Sequence, residues 1–337
     1  MCIRFWIRAY GWDRPVLRSG ELETGSLAAS QRGRNYLSIS LRRLLSNKVG
    51  VACLSVIILL YGAGILAPVV TPYGYNDQDL TNVKQPPSLA HPFGTDRLGR
   101  DILTRVIYGL RTTVILTIVT VTTGSLALGI SLGLIAGYFG RLADTIIMRV
   151  GEVSTSFPEL LLVLIIVSSL RPPMVDWLRG VESFLGVRFI HLGIADYFVL
   201  SLALAIFSWF GMARLVRGQV LQAREEEYVN AARSIGCRTP RLLFRHLLPN
   251  AMGPVIVTVS ASLGTVAGSE ALISFLGIGI QPPVPSLGLM IFENGSLSVL
   301  RTTPHLLIYP VGVLTVLLFT FSLLGDAVND AFNPRAR

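Results

Sequence analysis

Residues 112–140, TTVILTIVTVTTGSLALGISLGLIAGYFG, run for 29 positions without an Asp, Glu, Lys or Arg. A bilayer core of about 30 Å is crossed by about 20 residues of α-helix rising 1.5 Å each, so this run is long enough to span it. The same four residue types are missing from 49–76, 197–213, 246–269 and 302–325. A sixth stretch, 146–170, carries Glu152, Pro158 and Glu159 ahead of a wholly apolar half. The composition agrees: 51% of the chain is hydrophobic and 15% charged, against about 25% charged in a soluble domain. Its apolar side chains face lipid rather than water.

The expected fold is all-α and polytopic, with six transmembrane helices at about 49–70, 112–137, 146–170, 197–216, 251–273 and 306–324. Lysine and arginine are retained in cytoplasmic segments. With the N-terminus inside, the inner segments hold 20 of these residues and the outer ones 9. Both termini are therefore expected in the cytoplasm. The chain then divides into a cytoplasmic tail (1–48), a first transmembrane helix (49–70), an extracytoplasmic segment (71–111), a five-helix core (112–325) with a cytoplasmic loop at 217–249, and a second tail (326–337). No apolar stretch of signal-peptide length precedes the first span, which is read as a retained anchor. The segment IRFWIRAYGW at 3–12 is read as tail, with the lipid surface as its other possible place.

A net charge of +9 does not make a nucleic-acid binder, because the basic residues lie between apolar runs instead of on one soluble face. Cys2, Cys53 and Cys237 are too few and too scattered for a disulfide framework or metal cluster.

Between the fourth and fifth spans, 211–250 reads GMARLVRGQVLQAREEEYVNAARSIGCRTPRLLFRHLLPN. Glu225, Glu226 and Glu227 suit a helix N-terminus, Arg233 its last turn, and Gly236 the residue after its end. Thr239 and Pro240 suit the N-cap and first position of a second helix. A helix this short is marginal in water alone, so it needs a surface to dock on. Tyr228, Ala231, Ala232 and Ile235, at three- and four-residue spacing, are the face expected to enter a partner's cleft. A solvated hairpin capping the bundle is the plainer alternative. A DNA-binding helix-turn-helix would have to present its recognition helix against the bilayer.

YVNAARSIG followed by RHLLPN resembles the cytoplasmic loop motif of the integral membrane subunits of binding-protein-dependent ABC importers. That motif reads Glu-Ala-Ala, three residues, Gly, and later Leu-Pro; Ala231, Ala232, Gly236, Leu248 and Pro249 match it. Asn230 stands where the family carries Glu, which removes one acidic contact and leaves Glu227. HPFGTDRLGRDILTRVIYGLRTT at 91–113, SFLGIGIQPPVPSLGLMI at 274–291 and LLGDAVNDAFNPR at 323–335 are similar to segments of the dipeptide, oligopeptide and nickel permease branch. The resemblance covers most of 45–335 in order. It implies a type I importer permease, with the 228–237 helix seated in an ATPase groove and Glu227 and Arg233 at its rim. It also implies a homologous permease partner, two ATP-binding subunits, and an extracytoplasmic substrate-binding protein. Peptides are the implied cargo, with nickel chelates or other small solutes as the alternative.

The chain itself offers no ATPase chemistry. Its only lysines, Lys48 and Lys84, sit in SNKVG and NVKQP, and neither follows the glycine spacing of a P-loop. ATP and Mg are expected in the partner subunits, and no cofactor or metal on this chain. Gly129 to Gly133, GISLG, matches the pattern of a nucleophile elbow, but Ser131 lies inside a span and an intramembrane protease would need a histidine at its depth. His91, His191, His246 and His305 all lie in loops or near span ends. Gly129, Gly133 and Gly137 read instead as a small-residue face for helix packing. An ion-driven secondary transporter would usually show inverted repeats, and none is visible.

Ionisable residues near membrane depth are candidates for a translocation path or gate. They are Glu152 and Glu159, seven apart and so on one helix face, and Glu270 near the outer end of the fifth span; the plainer alternatives are that Glu152 sits at the cytoplasmic interface and that Glu270 caps the span structurally. Gly94, Thr95, Asp96 and Arg97 read as a turn leading into the second span, with receptor docking as the sharper alternative.

Overall fold

The computed structural model describes residues 38–186 and 192–332. Cys2, the segment 3–12, Arg188, His191 and residues 333–337 lie outside them. The chain divides into two compact units, Met1–Arg42 and Arg43–Arg337. The described part of the first, 38–42, is helical.

The second unit is a helical bundle. In chain order its helices are α1 (Lys48–Ile65), α2 (Ile102–Phe139), α3 (Arg141–Thr155), α4 (Glu159–Leu185), α5 (Ile194–Ala223), α6 (Glu227–Ser234), α7 (Thr239–Phe275), α8 (Leu287–Asn294), α9 (Leu297–Thr302) and α10 (His305–Phe332). Helices α1, α2, α4, α5, α7 and α10 are long and apolar enough to cross a membrane. The most enclosed is α5 and the least is α4.

The boundaries differ from the expected ones in several of the six spans. The second helix begins at Ile102, not 112, because Asp101 caps it by accepting from the Thr104 amide at 2.8 Å. It therefore takes in Arg105 and Arg111. The first helix stops at Ile65, and Ala67–Val70 forms a separate short turn. At the other end α10 runs to Phe332, so the helix continues through 326–332. The expected third span is two helices, broken at 156–158, where Pro158 takes an extended ψ of 112° and lacks an amide proton to donate. Its apolar part continues through Pro172 and Pro173 to Leu185.

Helix α2 packs on α5 along a glycine file. A Cβ on Gly129 would lie 2.7 Å from Met212, one on Gly133 2.7 Å from the Ala213 carbonyl, and one on Gly137 2.7 Å from Val220. Gly124 belongs to the same file, facing Ser208 and Ala205, although it is five residues before Gly129. The intervening segment, Val121–Ile130, is a π-helix. Its i to i+5 bonding matches that spacing and keeps Gly124 on the α5 side.

Substituting Gly133 by Ala should cost about 1–3 kcal/mol through overpacking against the Ala213 backbone. Gly211→Ala, on α5 with open space around its Cα, should instead stabilise by roughly 0.5–1 kcal/mol. Thermal unfolding of the two variants in detergent checks the pair of opposite signs.

Candidate functional site

Helix α6 is built as its residues dictate. Glu227 sits in the first turn and Arg233 in the last, each complementing the macrodipole. Gly236 follows with φ +76°; its amide donates to the Arg233 carbonyl at 2.9 Å and that of Cys237 to Ala232 at 3.0 Å, a Schellman cap. Thr239 and Pro240 open α7 one position earlier than expected, with Arg238 at the cap.

The helix is half anchor and half open face. Val229 and Ala232 are buried against Leu134 of α2, Val216 and Val220 of α5, and Leu242, Leu247 and Val255 of α7. Glu227, Tyr228, Ala231 and Ile235 are exposed, Ile235 at 86%. Ala232 therefore leaves the face that spacing assigned it to and joins the anchor. Val229, which the sequence reading passed over, is fully buried beside it; its apolar side chain four residues before Arg233 was the available signal.

Polar contacts fix this anchor at its rim. The Asn250 amide donates to the Tyr228 hydroxyl at 2.8 Å and to the His246 carbonyl at 2.9 Å. Partial burial raises the Tyr228 phenol above its ordinary value, with Asn250 opposing. Arg233 is exposed, and its guanidinium lies 5.3 Å over the Tyr138 ring at the end of α2. Arg224 donates to the Gly137 carbonyl at 3.3 Å. Arg217 grips Asp144 of α3 with two nitrogens. Leu248 is half-buried and Pro249 exposed at the start of the apolar part of α7. Gln219, Gln222, Glu226, Tyr228 and Asn250 line a shallow groove of about 270 Å3 beside α6.

At the opposite end of the bundle, the 91–101 segment is a buried clasp. Asp96 accepts from Arg100 at 2.7 Å and from Arg105 at 2.6 Å, and Glu293 of α8 lies 3.4 Å from Arg105. Burial would push the Asp96 carboxyl up, but Arg105 and Arg100 hold it below the usual carboxylate range. Gly94, Thr95 and Asp96 are buried, so of the four expected docking residues only Arg97 is exposed. Gly94 has a φ of +80°, which favours glycine, and a Cβ there would also strike the Gln85 carbonyl.

The three glutamates part company. Glu152 is exposed on α3 and pairs with Arg149 at 3.1 Å; Glu159 is exposed at the start of α4. The break between them removes the shared face that seven-residue spacing implied. Glu270 is fully buried, 3.0 Å from Thr113 of α2 and 3.0 Å from Ser274. It lines no open path in this conformation. The loop after α7 is held to the same spot: the Ile280 amide donates to Ser274 at 3.3 Å, Thr112 donates to the Pro285 carbonyl at 2.8 Å, and the Gln281 amide donates to Asp196 at 3.1 Å.

Sequence comparison adds a family to this geometry. The family described as binding-protein-dependent transport system inner membrane component matches residues 129–337, and the N-terminal TM domain of oligopeptide transport permease C matches 35–87. The chain belongs to this permease family. The oligopeptide transport system permease protein OppC of Bacillus subtilis is 35% identical over 308 residues, 91% of this chain and 92% of that one. The dipeptide transport system permease protein DppC of the same organism is 34% identical, covering 90% and 87%. The glutathione transport system permease protein GsiD of Pectobacterium atrosepticum is 35% identical, covering 88% and 90%.

This permease is thus a multi-pass inner-membrane transport subunit, and its buried clasp is a test of how the bundle end is held. Asp96→Asn leaves Arg105 buried with a weaker partner and should cost about 3–5 kcal/mol. The carboxyl is held low in the folded state, so its contribution is full above the unfolded value of about 3.9 and fades as pH falls below it. Unfolding scans near pH 6 and near pH 3 should converge for the two proteins only at the acid end.

Proposed function

We propose that this permease forms half of the translocation pore of a peptide-importing ABC transporter, with both termini and the α6 hairpin in the cytoplasm. The observation that carries the reading is the division of α6: one face buried in a cluster shared by α2, α5 and α7, the other exposed. A helix anchored in three spans and open on its far side suits a groove in an ATPase subunit. ATP and Mg bind to two such subunits, not to this chain. When nucleotide closes them, the docked α6 is displaced and carries the ends of α2, α5 and α7 with it, alternating access to the pore. Glu227 lies at the rim of this contact. A second permease chain completes the pore against the helices this bundle leaves uncovered, and an extracytoplasmic binding protein delivers cargo. The names of the similar proteins, oligopeptide, dipeptide and glutathione permeases, support a peptide cargo.

Ala231→Trp changes only the exposed face. It should reduce recovery of the ATPase with the purified permease at least about tenfold, a loss of roughly 1.4 kcal/mol, while membrane insertion is unchanged. Undiminished recovery would remove α6 as the coupling element. Orientation is read independently: Ile235→Cys in a background with Cys2, Cys53 and Cys237 each replaced by Ser should react with a membrane-impermeant maleimide in inverted vesicles and not in intact cells.

A further inference from the structure

Beyond the transport reading, the interior of the bundle holds a group that neither helix packing nor hairpin coupling uses. Glu270 sits where α7 meets α2 and the loop 276–286, with none of its surface exposed. Its bonding partners among the described residues are hydroxyls: Thr113 at 3.0 Å and Ser274 at 3.0 Å, with the Ser286 hydroxyl beside them. Tyr61 of α1 and Tyr197 of α5 lie close enough to feel its charge. The charged groups on the surrounding helices have other partners. Arg105 is held by Asp96 and Glu293, Asp196 by Arg171 at 2.5 Å, and Arg111 lies over the Tyr108 ring. A carboxylate sealed in a membrane interior without a cation is strongly disfavoured.

We infer that Glu270 is a proton-binding site that latches the seam between α2, α7 and the 276–286 loop, occupied when the seam is closed as here and emptied when it opens. The hydrogen bonds accommodate the proton. The neutral acid donates from Oε2 to Thr113, whose own hydroxyl donates to the Gly109 carbonyl 3.3 Å away. Ser274 donates to Oε1 and accepts the Ile280 amide. Loss of the proton leaves a full negative charge that has hydroxyl donors but no cation beside it, and water reaches it to complete its solvation only if α2 and α7 separate. The proton is therefore bound more tightly by the closed seam, and rising pH shifts the population toward the open one.

The full-length permease, purified with the subunits that accompany it and placed in nanodiscs, supplies the test. Infrared difference spectra between about pH 5 and about pH 9 should show a protonated-carboxyl stretch at neutral pH that disappears on alkaline titration and is missing in Glu270→Gln. Spin labels at Ile118→Cys and Leu272→Cys, both exposed, should show a second, longer distance growing with pH in the native seam and one constant distance in Glu270→Gln. No carboxyl band in the native protein, or the same pH-dependent distances in Glu270→Gln, would overturn the proposal. Absence of the band in the native protein overturns the proposal even if the variant fails to fold, and Glu270→Asp, which keeps a carboxyl but shifts its band, then assigns a band that is present.

Discussion

Lipid tails are as apolar as leucine, so bringing hydrocarbon together inside a membrane gains little, and the helices of this permease must be held by contacts that lipid cannot supply. The α2–α5 seam is such a contact. With Gly124, Gly129, Gly133 and Gly137 against the α5 backbone, the two helices approach more closely than side chains would allow, and dispersion accumulates along their length. Everything else is hung on this pair. The α6 anchor sits on the last turns of both, the Asp144–Arg217 grip fastens α3 to α5, and Glu270 seals α7 against α2.

Polar groups then do at the two ends of the bundle what glycine does along its middle. At one end the Asp96, Arg100, Arg105 and Glu293 cluster ties the loop before α2 to α8. At the other, Arg224 and Arg233 fasten the hairpin to the end of α2. A displacement of α6 would therefore be shared by α2, α5 and α7, whose side chains form one buried cluster with it.

The architecture was legible because membrane spans are written locally: hydrophobic length marks each one, and arginine distribution gives an expected orientation. The cap after α6 was legible for the same reason, since Gly236 answers a backbone requirement within one turn. Pairings across long separations were not. Nothing in the chain links Asp144 to Arg217, 73 residues apart, or Arg105 to Glu293. Charge also misled at boundaries. Arg111 and Arg171 bound charge-free runs, yet both lie inside helices, and Arg171 is met there by Asp196 from α5. Ala232 was placed on the outer face because spacing groups residues by azimuth but does not say which azimuth is covered.

The π-helical stretch in α2 has its own consequence for length. Between Gly124 and Gly129 the helix holds one residue more than an α-helix needs to return to the same side. Each residue of an α-helix turns about 100°, so a chain shortened by one position there would have to choose between keeping Gly124 against α5 and keeping the clasp end of α2 aimed at α8. The two ends of this helix are phased to each other by that extra residue, and the tally of positions between them is as much a part of the design as their identities.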